Sequence, residues 1–186
     1  MNLQQTNQTY ELEEKNIRIA RLAGQAFNTG DISKVDEFVS PDYVNHVSRG
    51  FAGLNDIPNI PNQFRNIIKY RSSLKGPDEF IDTVKSLREA FANLHYEERN
   101  ILASKDKVII FVTVSGKHVG NFFSIPPTGH SFTYEAVHIF RIIDNKIVEH
   151  SAVRDDLSFM MQLGLVHSAT EEYESLFQAW KGTKPR

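Results

Sequence analysis

Apolar positions along the chain fall first at helical spacing and then at alternate residues. Ile17, Ala20, Ala23 and Phe27 make one stripe, which predicts a helix from about Tyr10 to Asn28. Gly30 stops it. Asp31 or Ser33 is placed to cap a short second helix carrying Val35 and Phe38, which Pro41 would end. Tyr43-Val44-Asn45-His46 then reads as a short extended piece. Gly76-Pro77-Asp78-Glu79 has the form of a helix start. Proline suits the first helical position, and acidic side chains favour the positive end of the helix dipole. Phe80, Val84, Leu87 and Phe91 follow at spacings of four, three and four, a stripe suited to lying on a sheet.

The period then changes to two. Strands are predicted over Glu97–Ala103, Lys107–Lys117, His130–Ile143 and Lys146–Arg154. Ser104-Lys105-Asp106 and Asp144-Asn145 are hairpin turns, and His118 to Gly129 is a wider loop holding Pro126-Pro127-Thr128-Gly129. Helices first and an antiparallel meander after them define an α+β fold. Asp155 or Asp156 caps a further short helix to Leu163, closed by Gly164. Ser168-Ala169-Thr170-Glu171 is a capping box that opens a last amphipathic helix with Tyr173, Leu176, Phe177 and Trp180. That helix would pack on the body or on a second subunit. Residues 48–75 are punctuated by Pro58 and Pro61, with a helix over Asn62–Ser73 presenting Phe64, Ile67 and Ile68. They read either as a lid over a pocket or as a surface decoration or dimer arm.

Composition narrows the classes. With 186 residues the chain fits one domain, and 40% hydrophobic with 24% charged residues is ordinary globular usage. Twenty-one basic side chains against 23 acidic ones leave no excess for a nucleic-acid groove. The absence of cysteine rules out disulfides, thiolate metal sites and a cysteine nucleophile. No apolar run approaches the ~20 residues of a membrane span. Met1 to Glu14 lack the basic-then-apolar order of a secretory signal, so a cytoplasmic location is expected.

The third long strand carries the first chemical signal. Alternation puts Phe132, Tyr134, Ala136, His138 and Phe140 on one face, a mixture of aromatic bodies and polar tips that suits a pocket wall. Whether His150 joins them depends on register. A two-residue Asp144-Asn145 turn pairs His150 with Ile139 and puts the two histidines on opposite faces. A three-residue turn with a bulge pairs His150 with Phe140 and puts them together. His46, after Tyr43 in the short extended piece, is a third candidate acid/base group or a surface histidine. Asp155 and Asp156 can serve as carboxylate partners or as helix caps, and Arg154 as their ion-pair partner or as an anchor for an anionic ligand. No helical histidine spacing points to zinc, no nucleophile-elbow pattern is present, and Gly-rich phosphate loops are absent. No metal and no cofactor are therefore expected.

The order of elements is similar to the cone-shaped fold of nuclear transport factor 2. Phe27-Asn28-Thr29-Gly30-Asp31, Pro41-Asp42-Tyr43-Val44-Asn45-His46, Gly76-Pro77-Asp78-Glu79-Phe80, Pro126-Pro127-Thr128-Gly129 and Ile139-Phe140-Arg141 through Lys146-Ile147-Val148-Glu149-His150 resemble the SnoaL-like polyketide cyclases, also called ester cyclases. The likeness covers residues 11 to 165, with 1–10 as a disordered tail, 48–75 as an inserted segment and 166–186 as a C-terminal helix and tail. It implies a curved antiparallel sheet wrapped around N-terminal helices, with a small apolar polyketide-like molecule in the cone. It also implies ring closure by an intramolecular aldol condensation without a cofactor. His150, His138, His46 and Asp155 become candidate catalytic groups. Tyr43, Phe122, Tyr134, Phe140, Arg154 and Asp156 become candidate ligand contacts, and a homodimer is the expected assembly. The resemblance favours the bulged register. It also places an acid/base Asp two residues after the histidine of the Glu-His pair, where this chain has Ala152. A binding or assembly module on the same cone is therefore the alternative to an enzyme.

Overall fold

The apolar stripe of the first helix faces the core, with Ala20 and Ala23 buried and Ile17 and Phe27 partly buried. In the computed structural model, which describes residues 3–47, 74–122 and 125–166, helix α1 runs over Leu3–Thr29. Ile19, Ala20, Ala23 and Ala26 are all buried. Three alanines in that stripe let the helix lie close to the sheet. The helix starts at Leu3, inside the stretch predicted to be an irregular tail. Gly30 closes it at φ 78°, with its N–H on the Ala26 carbonyl at 2.8 Å.

Helix α2 is a single turn, Val35–Phe38, with no side-chain cap. Asp31 instead accepts hydrogen bonds from the Ser33 N–H and hydroxyl, a turn that precedes the helix. Pro41 does not end α2. The chain is already extended at Val39, where strand β1 (Val39–Asn45) begins, and an edge strand tolerates a proline. Helix α3 (Gly76–Ala90) follows and buries Phe80 and Val84. It runs straight into β2 (Phe91–Ser104), six residues ahead of the predicted strand start. β3 (Lys107–His118), β4 (Ser131–Ile143) and β5 (Lys146–Arg154) complete the meander, and helix α4 (Asp156–Gln162) lies on β4.

The curved sheet has the order β1-β5-β4-β3-β2. β2 to β5 are antiparallel, but β1 pairs with β5 in parallel, so the sheet is mixed where an antiparallel one was predicted. β1 is not part of the hairpin-linked meander; it comes from the helical half of the chain and adds to the open edge of β5. β2 is irregular between Ala92 and His95 and again between Glu98 and Asn100. Such irregularities bend a strand and are a recognised source of sheet curvature. The helix over Asn62–Ser73 and the last amphipathic helix lie outside the described residues.

The β4–β5 hairpin resolves the register. Asp144 and Asn145 both have positive φ, 48° and 65°, and join Ile143 to Lys146 in a two-residue turn. A bulge follows inside the strands: Ile142 faces Ile147, but Arg141 faces Glu149, leaving Val148 over. From there His150 faces Phe140. The turn has the short form, yet the pairing is that of the bulged alternative, because the extra residue sits in the strand and not in the turn.

Gly76 is the tightest junction between β1 and α3. Its φ is +59°, and a Cβ there would stand 2.5 Å from the Pro41 carbonyl oxygen. Gly76→Ala combines a disfavoured backbone with a backbone clash, and should cost at least ~2 kcal/mol in denaturant unfolding. A loss below ~0.5 kcal/mol would contradict the close approach of β1 and α3.

Candidate active site

The concave face of the sheet, with α1, α3 and α4 against it, encloses a cavity of about 510 Å³. A volume of this order suits a drug-sized molecule. Its wall is mostly apolar and aromatic, as strand alternation dictates. β4 contributes Phe132, Tyr134, His138 and Phe140, and β3 contributes Ile110 and Val112. Polar groups enter at separate points. Arg154 and Asp156 form a two-point ion pair, 3.0 Å from Nε to Oδ1 and 3.2 Å from Nη2 to Oδ2. Arg21 of α1 and Glu98 of β2 form a second, at 2.9 and 2.7 Å.

The cavity is also lined by a pair of histidines. His138 Nδ1 lies 2.9 Å from His150 Nε2. The ring centres are 5.2 Å apart and the planes differ by 7°, so the hydrogen bond runs close to the plane of both rings. Phe140 stacks on His150 at 4.8 Å, and the Tyr96 ring meets His138 edge-on at 5.9 Å. His150 Nδ1 is 3.2 Å from Asn45 Oδ1 on β1. His138 Nε2 is buried and has no hydrogen-bond partner among the described residues. Directly across the β4–β5 pairing from His138 is Ala152. The residue facing the histidine is therefore a methyl group at the position where the family resemblance called for an Asp.

Electrostatics follow from dryness. Burial, and secondarily the positive charge of Arg154, push His138 down to about 4. Burial first, then His138, Arg154 and His46, hold His150 well below the ordinary 6.5. Both imidazoles are neutral at pH 7. Burial pushes the Tyr134 phenol up to about 12 and the Tyr96 phenol higher still, so both stay protonated and keep an O–H to offer a ligand.

The structure brings together most of the residues singled out by sequence. Tyr43, Phe122, Tyr134, His138, Phe140, His150, Arg154 and Asp156 all border the cavity. His46 and Asp155 do not. His46 follows the end of β1 with its side chain turned outward, half exposed, 3.2 Å from Glu149. Asp155 caps α4, accepting from Ser158 N–H at 3.0 Å, and an Asp at that position has its oxygen committed to the helix end. The sequence reading passed over Asn45, Tyr96 and the Arg21–Glu98 pair. Asn45 lies two residues after Tyr43 and so shares its face, a signal that was available. Tyr96 lies just ahead of the predicted strand start at Glu97, and Glu98, two residues on, shares its face. Among the described residues no three His, Asp or Glu side chains converge as a metal site, and no helix is long and apolar enough to cross a membrane.

Comparison with known proteins places this arrangement. The family model of SnoaL-like polyketide cyclases matches residues 60–163, more than half of the chain. Aklanonic acid methyl ester cyclase DnrD of Streptomyces peucetius is 30% identical over 149 residues, 80% of this chain and 90% of its own length. Nogalonic acid methyl ester cyclase of Streptomyces nogalater is 32% identical over 140 residues, 75% of this chain and 90% of its own. Among solved structures, TsrD of Streptomyces laurentii superposes with a TM-score of 0.64 at 20% identity, covering 82% of this chain and 97% of that one. The chain belongs to the SnoaL-like polyketide cyclase family.

The neutral pair makes stability depend on pH. In the unfolded chain each histidine takes up a proton near pH ~6.5. In the folded chain His138 does so only near 4 and His150 well below 6.5. The unfolded state therefore binds protons first as pH falls, and stability is full above about 6.5 and drains away toward pH 4. Denaturant melts between about pH 7.5 and 4.5 should show this loss, and a His138→Gln, His150→Gln double variant should have a shallower slope. Equal slopes would mean that the pair is not held neutral.

Proposed function

We propose that this protein closes a ring in a polyketide-derived ester by proton transfer between side chains and substrate, without a cofactor. The observation that carries the reading is the His138–His150 pair, joined at 2.9 Å inside an apolar cavity. A neutral imidazole in that pair takes a proton from a carbon made acidic by neighbouring carbonyls. The enolate attacks a second carbonyl of the same molecule, forming the carbon–carbon bond, and the alkoxide recovers the proton from the imidazolium. The Tyr96 and Tyr134 phenols, kept protonated by burial, donate toward the oxygens that gain charge. Phe122, Phe140 and Tyr43 supply apolar wall, and Arg154 with Asp156 holds a polar end of the ligand. The esters named for DnrD and the S. nogalater enzyme are the models for substrate class.

The test is turnover of aklanonic acid methyl ester, followed by chromatography of the cyclised product. His138→Gln and His150→Gln should each lower the rate by ~10²-fold or more, with binding of the ester retained. Ala152 favours a second reading, a binding protein that has lost the family's carboxylate. Tight ester binding with no product from the wild-type chain would decide for it.

A cytoplasmic homodimer completes the reading. On the convex face of the sheet, Leu102 and Ile109 are paired neighbours, as are Phe111, Val137 and Val153. Leu102, Ile109, Phe111 and Val153 are 63%, 41%, 38% and 70% exposed, an apolar row of the kind that marks an interface. Phe111→Lys with Val153→Lys should convert a dimer to a monomer in sedimentation. A wild-type monomer would remove the dimer from the reading.

A further inference from the structure

We infer that Asn45 is a positioning residue that decides which ring nitrogens of His150 and His138 carry protons, leaving His138 Nε2 as the basic atom of the pair. The catalytic meaning of this arrangement rests on the proton-transfer reading above.

The amide orientation comes first. Asn45 Oδ1 accepts the Val47 N–H at 3.1 Å, so the atom 3.2 Å from His150 Nδ1 is an oxygen. An amide oxygen only accepts, so His150 Nδ1 carries the proton and donates it. Burial keeps His150 neutral, and a neutral imidazole has one donor and one acceptor nitrogen. His150 Nε2 is then the acceptor, and His138 Nδ1, 2.9 Å away, is the donor. His138 is neutral as well, so its Nε2 holds a lone pair. That is one of two buried side-chain nitrogens with no partner among the described residues, His118 Nε2 being the other. A buried polar atom in this state calls for an explanation, and a proton acceptor held ready beside the ligand cavity that His138 borders is one.

The chain Asn45–His150–His138 has a direction because it ends on an amide. When a carbon acid gives its proton to His138 Nε2, the positive charge can be shared with His150 through the 2.9 Å bond. It goes no further, because Asn45 Oδ1 is not a base. The proton returns along the same path to the substrate oxygen that becomes an alkoxide. The same atom serves as base and then as acid, and no carboxylate is consumed. This is how a site with Ala152 opposite His138 can dispense with an aspartate.

The alternative is that Asn45 only shapes the chain after β1 through its Val47 bond. The two are separated by the tautomers, read from two-bond proton–nitrogen correlations of ¹⁵N-histidine-labelled full-length protein at about pH 7. In the wild type both rings should be protonated at Nδ1 and bare at Nε2. Asn45→Ala should move both protons to Nε2, inverting the relay. Asn45→Asp keeps an accepting oxygen and should restore the Nδ1 pattern. A wild-type His138 protonated at Nε2 overturns the inference, as does an Asn45→Ala spectrum identical to wild type. If Asn45→Ala does not fold, the wild-type and Asn45→Asp spectra decide. Turnover of aklanonic acid methyl ester is measured on the same samples. Inverted tautomers without turnover by any variant refute ring closure but uphold the role of Asn45. Normal turnover with unchanged tautomers does the reverse.

Discussion

The site depends on one surplus residue. Val148 has no counterpart on β4, and everything beyond it in β5 is shifted by one place relative to a regular hairpin. In a strand a shift of one place exchanges the two faces. With the bulge, His150, Ala152 and Arg154 border the cavity and Glu149 turns to the outside. Without it, a glutamate would point into the apolar interior, and the histidine would stand in water. The cost of burying that carboxylate unpaired is several kcal/mol, so the bulged register is enforced by solvation rather than by the turn itself.

The same shift organises the outer face. Glu149 there accepts from Arg141 at 2.6 Å, Arg141 binds Asp106 at 2.9 Å, and His46 stands 3.2 Å from the other Glu149 oxygen. These groups are 39–50% exposed, and exposed pairs of this kind contribute little each. Their effect is geometric: together they tie β5, β4, the β2–β3 turn and the end of β1. The inward contact from Asn45 to His150 is thus held from both sides of the sheet.

Much of this was readable in the chain. The four long strands, the helix opened by Gly76-Pro77 and the cavity face of β4 follow from period and turn chemistry, which are local. What escaped is non-local. The parallel pairing of β1 cannot be inferred from Val39–Asn45, because nothing in those residues names their neighbour. The pairing of His150 with Phe140 was expected from the family resemblance, but the place of the bulge, at Val148 inside the strand and not in the turn, leaves no mark in a sequence that alternates well on both sides of it. His46 and Asp155 carry side chains suited to chemistry, but geometry assigns one to the surface and the other to a helix cap. Asn45, an unremarkable amide by type, gains its role from a histidine 105 residues away.

That separation has a bearing on how the protein is made. β2 to β5 pair in the order in which they are synthesised and can assemble as each leaves the ribosome, since local pairings form fastest. β1 is synthesised early but has no strand to pair with until β5 exists. Through that interval Tyr43 can pack on Phe80 of α3, but the backbone of β1 has no strand to bond. The cavity and its hydrogen-bonded histidines therefore come into being only with the closing event of folding. A nascent chain halted before Lys146 holds nearly all of the wall and His138, but not the His150 that completes the pair.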